Sequence, residues 1–235
     1  MVIIIFRRII SFLLTIVFSI SLINNVFAQK NDFITIDEFN SLKQNGYIGK
    51  DVSYEYLKEL NAQSKKLEKF IENSDKFYQV PFSIDNIYGG DIIITNSTSS
   101  NGLTGHAAIV LNMYEIIHIQ GAGYTPQVIT PQEFKNKYSR GWIKVYRPRQ
   151  NIGRLAAQWA ERTYRDSGVP YKITMNLATT NETYCSKMVW QAYYFGVGEE
   201  VMPPALQTTN NIIVPYGLME GFNDGSYTFN YLGEM

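Results

Sequence analysis

Cysteine is nearly absent from this chain. Its 235 residues contain one, Cys185, which excludes an intrachain disulfide framework and any CxxC-type zinc ribbon. Histidine is almost as scarce, with His106 and His118 the two examples. Net charge is missing too. The 21 Lys and Arg balance 21 Asp and Glu, and no long basic run occurs, so the electrostatic footprint of a nucleic-acid binder is lacking. Neither glycine nor the apolar residues recur at a fixed period, which excludes collagenous and coiled-coil chains. Apolar residues themselves are plentiful, at 45%. A chain of this length and composition buries one sizeable core and does not carry the signature of disorder.

Residues 1–28 differ from the rest. They hold no Asp or Glu and two charges, Arg7 and Arg8, followed by an apolar run from Ile9 to Ile23 and a Val26-Phe27-Ala28 ending. This order predicts a secretory signal peptide cleaved after Ala28. The apolar run is shorter than the roughly 20 residues of a spanning helix, which disfavours the alternative of an uncleaved anchor. Loss of the two arginines leaves 19 basic and 21 acidic groups, so the mature chain is slightly acidic. Export to the cell envelope or medium makes the single thiol informative, because an idle cysteine is a liability in an oxidising compartment.

The remaining chain reads as a helical lead-in over 29–80 and one domain over 81–235. Short helical periodicity spans Ile36–Gln44. From Ser53 to Asn73, Tyr56, Leu60, Leu67, Phe70 and Ile71 share one face while Lys and Glu cover the other. Strands are expected at Asp91–Thr95, His106–Leu111, Tyr114–Gln120 and Trp142–Arg147, with a polar loop at Asn96–Gly105. Thr130-Pro131-Gln132-Glu133 is a capping box with proline at the first helical position. Helices are expected at Ile152–Asp166 and Cys185–Phe195, the first ended by Gly168 and Pro170, the second by Gly196. Strands and helices in separate blocks predict an α+β fold.

Cys185 stands at the start of the second of these helices. A thiol there feels the positive end of the macrodipole, which favours thiolate, and Asn181 or Thr183 is placed to cap the helix. A buried core cysteine is the alternative. The histidines lie in Gly105-His106-Ala107-Ala108-Ile109-Val110 and Ile116-Ile117-His118-Ile119. A hairpin looped at Leu111-Asn112-Met113 sets Val110 opposite Tyr114 and, in the same register, His106 opposite His118 on one sheet face. A thiol needs a base and the base an orienting group, and two histidines supply both. A Cys/His/His zinc site is the rival arrangement. No carboxylate or second cysteine neighbours the set, so neither a metal nor another cofactor is expected.

These residues carry a resemblance. Gly90-Asp91-Ile92-Ile93-Ile94, the two histidine segments, Val169-Pro170-Tyr171 before Cys185-Ser186, and Pro204 beyond it resemble blocks of the NlpC-type cysteine peptidases. Their order, histidines before cysteine, resembles the circularly permuted branch: the YiiX-like amidases and the lecithin–retinol acyltransferase group. The resemblance covers about residues 87 to 215 and implies a permuted papain-like α+β fold, with an antiparallel sheet packed against the nucleophile helix. It further implies that Cys185 attacks a carbonyl, His106 shuttles the proton, and His118 or Gln120 orients the imidazole. The Cys185 backbone N–H, with the Tyr171 hydroxyl, would stabilise the oxyanion. Lys187 departs from the glycine usual in the unpermuted peptidases, and Ser186-Lys187 departs from the lipid-acting branch. The expected function is exported hydrolysis of amides in cell-wall peptides. Hydrolysis or transfer of lipid or thioester acyl groups, and a non-catalytic exported binding protein, are the alternatives. The expected partner is a peptide or acyl substrate; no nucleic acid is expected, and membrane contact arises only through an uncleaved signal segment.

Overall fold

The computed structural model describes residues 33–74, 82–100, 103–148, 151–202, 206–223 and 229–235. The expected signal segment and Pro204 lie outside these residues. Residues 36–235 form one compact unit.

Two helices lead in, α1 (Ile36–Gln44) and α2 (Tyr54–Ser74). In α1, Asp37 and Glu38 lie in the first turn and Lys43 in the last, each charge set against the macrodipole. Helix α2 is tied to the body by polar contacts: Tyr56 O–H donates to Asn211 Oδ1 (2.6 Å), and Asn61 Oδ1 accepts the Thr104 N–H (3.1 Å). Buried Lys144 Nζ donates to the Ile71 carbonyl (3.1 Å). Leu57 is fully buried and adds about 1.5–3 kcal/mol of transfer free energy, whereas of the five residues expected to share the apolar face only Ile71 is buried and Phe70 is exposed.

The sheet contains β1 (Ile92–Ser100), β2 (Leu103–Asn112), β3 (Glu115–His118), β4 (Gln127–Ile129), β5 (Ile143–Pro148) and β6 (Phe229–Glu234), in the order β4-β3-β2-β1-β5-β6. Every pairing is antiparallel. The polar stretch expected as a loop at Asn96–Gly105 instead extends β1 and β2 into a longer hairpin, with Ser99 opposite Thr104. Strands β4 and β6 were not foreseen. Both are recruited by register against neighbours, with little alternation of their own.

Helix α3 (Pro131–Lys137) carries the expected capping box: Thr130 Oγ1 accepts the Glu133 N–H and the Glu133 carboxylate accepts the Thr130 N–H. It closes one sheet face, where Phe134 and Tyr138 join Ile93, Ala108, Val110, Ile116, Ile143 and Val145 in a buried cluster. Helices α4 (Gly153–Tyr164), α5 (Cys185–Gly196) and α6 (Pro215–Asn223) contribute no residue to that cluster and pack against β2. Two glycines permit this close approach. Gly90 (φ +92°) lies where a Cβ would meet the Gly153 backbone at 2.1 Å, and Gly105 (φ +81°) where it would meet the Tyr216 ring at 2.6 Å. At the head of β1, Asp91 shapes the turn as expected: its carboxylate accepts the Tyr88 N–H (2.9 Å) and pairs with Arg147 (2.7 Å).

The β2–β3 hairpin departs from the expected register. Its turn is the two-residue Met113-Tyr114, with Asn112 opposite Glu115, and the next pair is Val110 with Ile116. Leu111 is therefore a bulge, one residue facing no partner. Without it, the register of Asn112 and Glu115 would continue, and His106 and His118 would fall on opposite faces. With it, His118 lies level with Ala108, two residues along from His106 and on the same face. The expected direct opposition is wrong by two residues; the shared face is present.

Candidate active site

Both histidines are fully buried, 0% exposed. His106 Nε2 lies 3.0 Å from His118 Nδ1, and the rings meet edge to face with centroids 5.2 Å apart. Aromatic side chains from α3 and the residue after it enclose them. Phe134 stacks on His106 at 6.1 Å and the Tyr138 ring lies 4.9 Å from it. The Tyr138 hydroxyl is 3.2 Å from His118 Nδ1. His106 Nδ1 and His118 Nε2 are buried and have no hydrogen-bond partner among the described residues. Burial, the neighbouring ring and Lys137 hold His106 well below the usual imidazole range, while burial and Lys137 bring His118 down to about 3. The pair is neutral at rest. Ala108, Val110 and Ile116 beside the histidines are packed core.

Helix α5 begins at Cys185 itself. Tyr184 is its extended N-cap residue, with no side-chain cap. The expected caps are engaged elsewhere: Thr183 O–H donates to the Tyr184 carbonyl (3.4 Å), and the Asn181 N–H donates to Thr179 Oγ1 (3.2 Å). The residues flanking the cysteine are anchored instead. The Tyr184 hydroxyl oxygen accepts the Ile213 N–H (3.1 Å) and the Ser186 hydroxyl donates to the Ile213 carbonyl (2.7 Å). Lys187, fully buried, fixes the preceding loop by donating to the Glu182 carbonyl at 2.8 Å.

The thiol is 1% exposed. Burial pushes it up, against the lowering effect of N–H groups from Ala107, Ser186 and Cys185 and of the Ser186 side chain. The expectation of a resting thiolate is thus corrected: loss of water outweighs the helix terminus. The Ala107 N–H reaches the sulfur because of the strand geometry. The Val110 N–H points to β1, donating to the Asp91 carbonyl, so by alternation the Ala107 N–H points toward β3. The β2–β3 ladder carries no pair as far as Ala107, and the effect of that N–H falls on the thiol. The Ala107 nitrogen is bonded to the His106 carbonyl carbon, so sulfur and imidazole belong to consecutive residues' surroundings on one strand edge. Tyr138 completes the group, its phenol raised by burial and by the Cys185 charge. A direct thiol–imidazole hydrogen bond was expected. Among the described residues none forms, and the side chain hydrogen-bonded to the sulfur is Ser186, with Oγ at 3.9 Å. Helix α5 packs against β2, the strand that carries His106.

Of the two side chains expected to orient His106, His118 makes the contact. Gln120 is half-buried and donates to Gln127 Oε1 at 2.8 Å. Tyr171 is buried and bridges Thr183 in parallel fashion, with its N–H on the Tyr124 carbonyl (3.2 Å). It therefore braces the segment leading into Cys185. Tyr138 escaped the sequence reading, although its spacing of four from Phe134 behind a capping box places both on one helix face. No group of three or more His, Cys, Asp or Glu is arranged to hold a metal among the described residues.

An uncharacterized 30.3 kDa protein of Bacillus thuringiensis is 41% identical over 144 residues, 57% of this chain and 52% of that protein. The chain thus spans about half the length of that relative. The crystal structure of metalloprotein yiiX from Escherichia coli O157:H7 is similar at a TM-score of 0.45 and 16% identity, over 63% of this chain and 97% of that one. Residues 56–232 match the family described as lipoprotein N-acylation protein LnsA-like. That match takes in the histidine pair, Tyr138 and the Cys185 helix, and the chain belongs to the LnsA-like family.

Proposed function

We propose that this protein is an exported cysteine acyltransferase, in which Cys185 accepts an acyl group from an ester or thioester donor and passes it to an amine or to water. One observation carries the reading. His118 engages His106 through Nε2 at 3.0 Å and leaves His106 Nδ1 buried without a partner, on the residue next to Ala107, whose N–H lowers the thiol. With Nε2–H donated to His118 Nδ1, His106 Nδ1 carries a lone pair and is a general base.

In the first half-reaction His106 Nδ1 takes the thiol proton as sulfur bonds to the donor carbonyl carbon. The tetrahedral intermediate collapses, the donor's C–O or C–S bond breaks, and His106 returns the proton to the leaving atom. In the second, an amine attacks the thioester carbonyl, loses its proton to His106, and the departing sulfur recovers it. Backbone N–H groups at Cys185, Ser186 and Ala107 surround the sulfur and supply the donors for the oxyanion. The neutral resting pair suits this concerted transfer, since no buried charge is held between turnovers.

The family description favours transfer to nitrogen. The sequence likeness to NlpC-type peptidases supports a second reading, cleavage of an amide in wall peptides through the same acyl-Cys185. The order His106, His118, Cys185 supports a circularly permuted papain-like arrangement, and the composition of residues 1–28 supports export.

Intact mass spectrometry tests the proposal. Incubation with an acyl ester should add one acyl mass at Cys185, and an N-terminal lipopeptide amine should then discharge it as amide. Release of fragments from wall peptides without acylation of the amine would select the amidase. Absence of a Cys185 adduct with every donor and every wall peptide would refute both.

A further inference from the structure

Just outside Tyr138 the surface forms an open depression of about 490 Å³, lined by Lys137 and Arg140 together with Ser97, Gln120, Asn136 and Ser139. No carboxylate lines it. Several cations elsewhere are paired with carboxylates, among them Arg147 with Asp91, Arg165 with Glu115 and Glu161, and Lys172 with Glu182. Lys137 and Arg140 make no ion pair among the described residues. The last-turn position of Lys137 offsets the α3 macrodipole, but Arg140 lies beyond the helix end and that role does not account for it.

We propose that this depression is the subsite for a phosphate group carried by the acyl donor. The inference rests on the acyl-transfer reading for its link to catalysis. Its volume falls within the range of small-ligand sites, and its polar lining suits a headgroup rather than an acyl chain. A tetrahedral phosphate presents several acceptor oxygens; a guanidinium fork, an ammonium, the Ser97 hydroxyl and two amides present donors. The pocket shares a wall with the reaction centre, because Tyr138 lines it while its hydroxyl meets His118 and its ring meets His106. Lys137 is near enough for its charge to act on both imidazoles. A phosphate seated here holds its acyl ester one aromatic ring away from the histidine pair. Phosphate on a lipid headgroup and phosphate on a soluble thioester carrier offer the same chemistry.

Binding and chemistry are measured separately. The full chain with Cys185→Ala is titrated with inorganic phosphate, phosphatidylglycerol vesicles and acyl phosphopantetheine, and again with Lys137→Gln and Arg140→Gln added. Both added substitutions are on exposed side chains, so folding is retained and is checked by circular dichroism. At least one phosphate probe should bind and be weakened about threefold to tenfold by the pair of substitutions, as expected for two exposed charge contacts. Binding confined to vesicles identifies a lipid headgroup, and binding confined to the soluble thioester identifies a carrier. Equal affinity with and without the substitutions, or no binding of any probe, overturns the subsite. The wild-type chain is treated in parallel with a phosphate-free acyl ester. A Cys185 adduct there with no phosphate effect removes this inference alone; phosphate binding with no adduct from any donor removes the acyl-transfer reading and leaves an anion site.

Discussion

Tyr138 places its hydroxyl 3.2 Å from His118 Nδ1, the same nitrogen that lies 3.0 Å from His106 Nε2. One ring nitrogen thus serves two partners, and the phenol, raised by burial, stays protonated through the working range. Tyr138→Phe keeps the ring packed on His106 and removes the hydroxyl. Loss of about one neutral hydrogen bond predicts a fall in kcat of about fivefold, with an altered pH profile and an unchanged far-ultraviolet spectrum. An identical pH–rate profile would show that the hydroxyl is a packing accessory.

Cys185→Ala should abolish acylation and leave the fold in place. The thiol is buried, but its deletion removes one small atom group. The expected loss is about 1 kcal/mol, within the ordinary range for point substitutions, or a few degrees in Tm. A collapse of Tm read by calorimetry would mark Cys185 as a structural core residue.

Stability should fall on mild acidification. Both histidines have folded pKa values below the unfolded value, so the unfolded chain binds more protons below about pH 6.5. Their contribution is fully present above pH 6.5 and is lost as pH falls toward the folded values, about 3 for His118. From pH 7.5 to 5 the loss is about 2 kcal/mol for His118, and His106 adds to it in the same direction. Urea titrations of the wild type and of His118→Gln over this window should differ, the variant showing the smaller slope. Equal slopes would mean that the imidazoles are not held neutral.

Gly105→Ala should damage the site from one residue away. The left-handed backbone (φ +81°) disfavours a side chain, and its Cβ would stand 2.6 Å from the Tyr216 ring. Destabilisation of about 1–3 kcal/mol is expected, with loss of activity as His106 shifts. A Gly105→Ala/Tyr216→Ala double variant is compared with Tyr216→Ala alone, which carries the same cavity; backbone strain should still give the double variant the lower Tm. Equal Tm in the two would show that crowding alone requires the glycine.

Much of this was legible because it is encoded locally. The Thr130–Glu133 capping box, the helical spacing of residues 54–74 and the start of a helix at Cys185 each depend on neighbours a few residues apart. The shared face of His106 and His118 was also legible, since period-two alternation tolerates a register error of two. The register itself was not, because a two-residue turn and a bulge at Leu111 offset one another. Asn96–Gly105 was misread as a loop for a related reason: pairing Ser99 with Thr104 needs a partner strand, and polar side chains on a hairpin extension carry no apolar signal.

The sequence by itself determined the reactive inventory, a lone thiol at a helix start and two histidines of matching parity, because residue identity and local periodicity set these. Tertiary structure alone decided their chemical state and company. Burial raises the thiol and lowers both imidazoles, the end of the β2–β3 ladder frees the Ala107 N–H for sulfur, and α3 brings Tyr138 onto His118. Desolvation and contacts between segments distant in the chain are sums over the folded surroundings, and no short window of residues contains them.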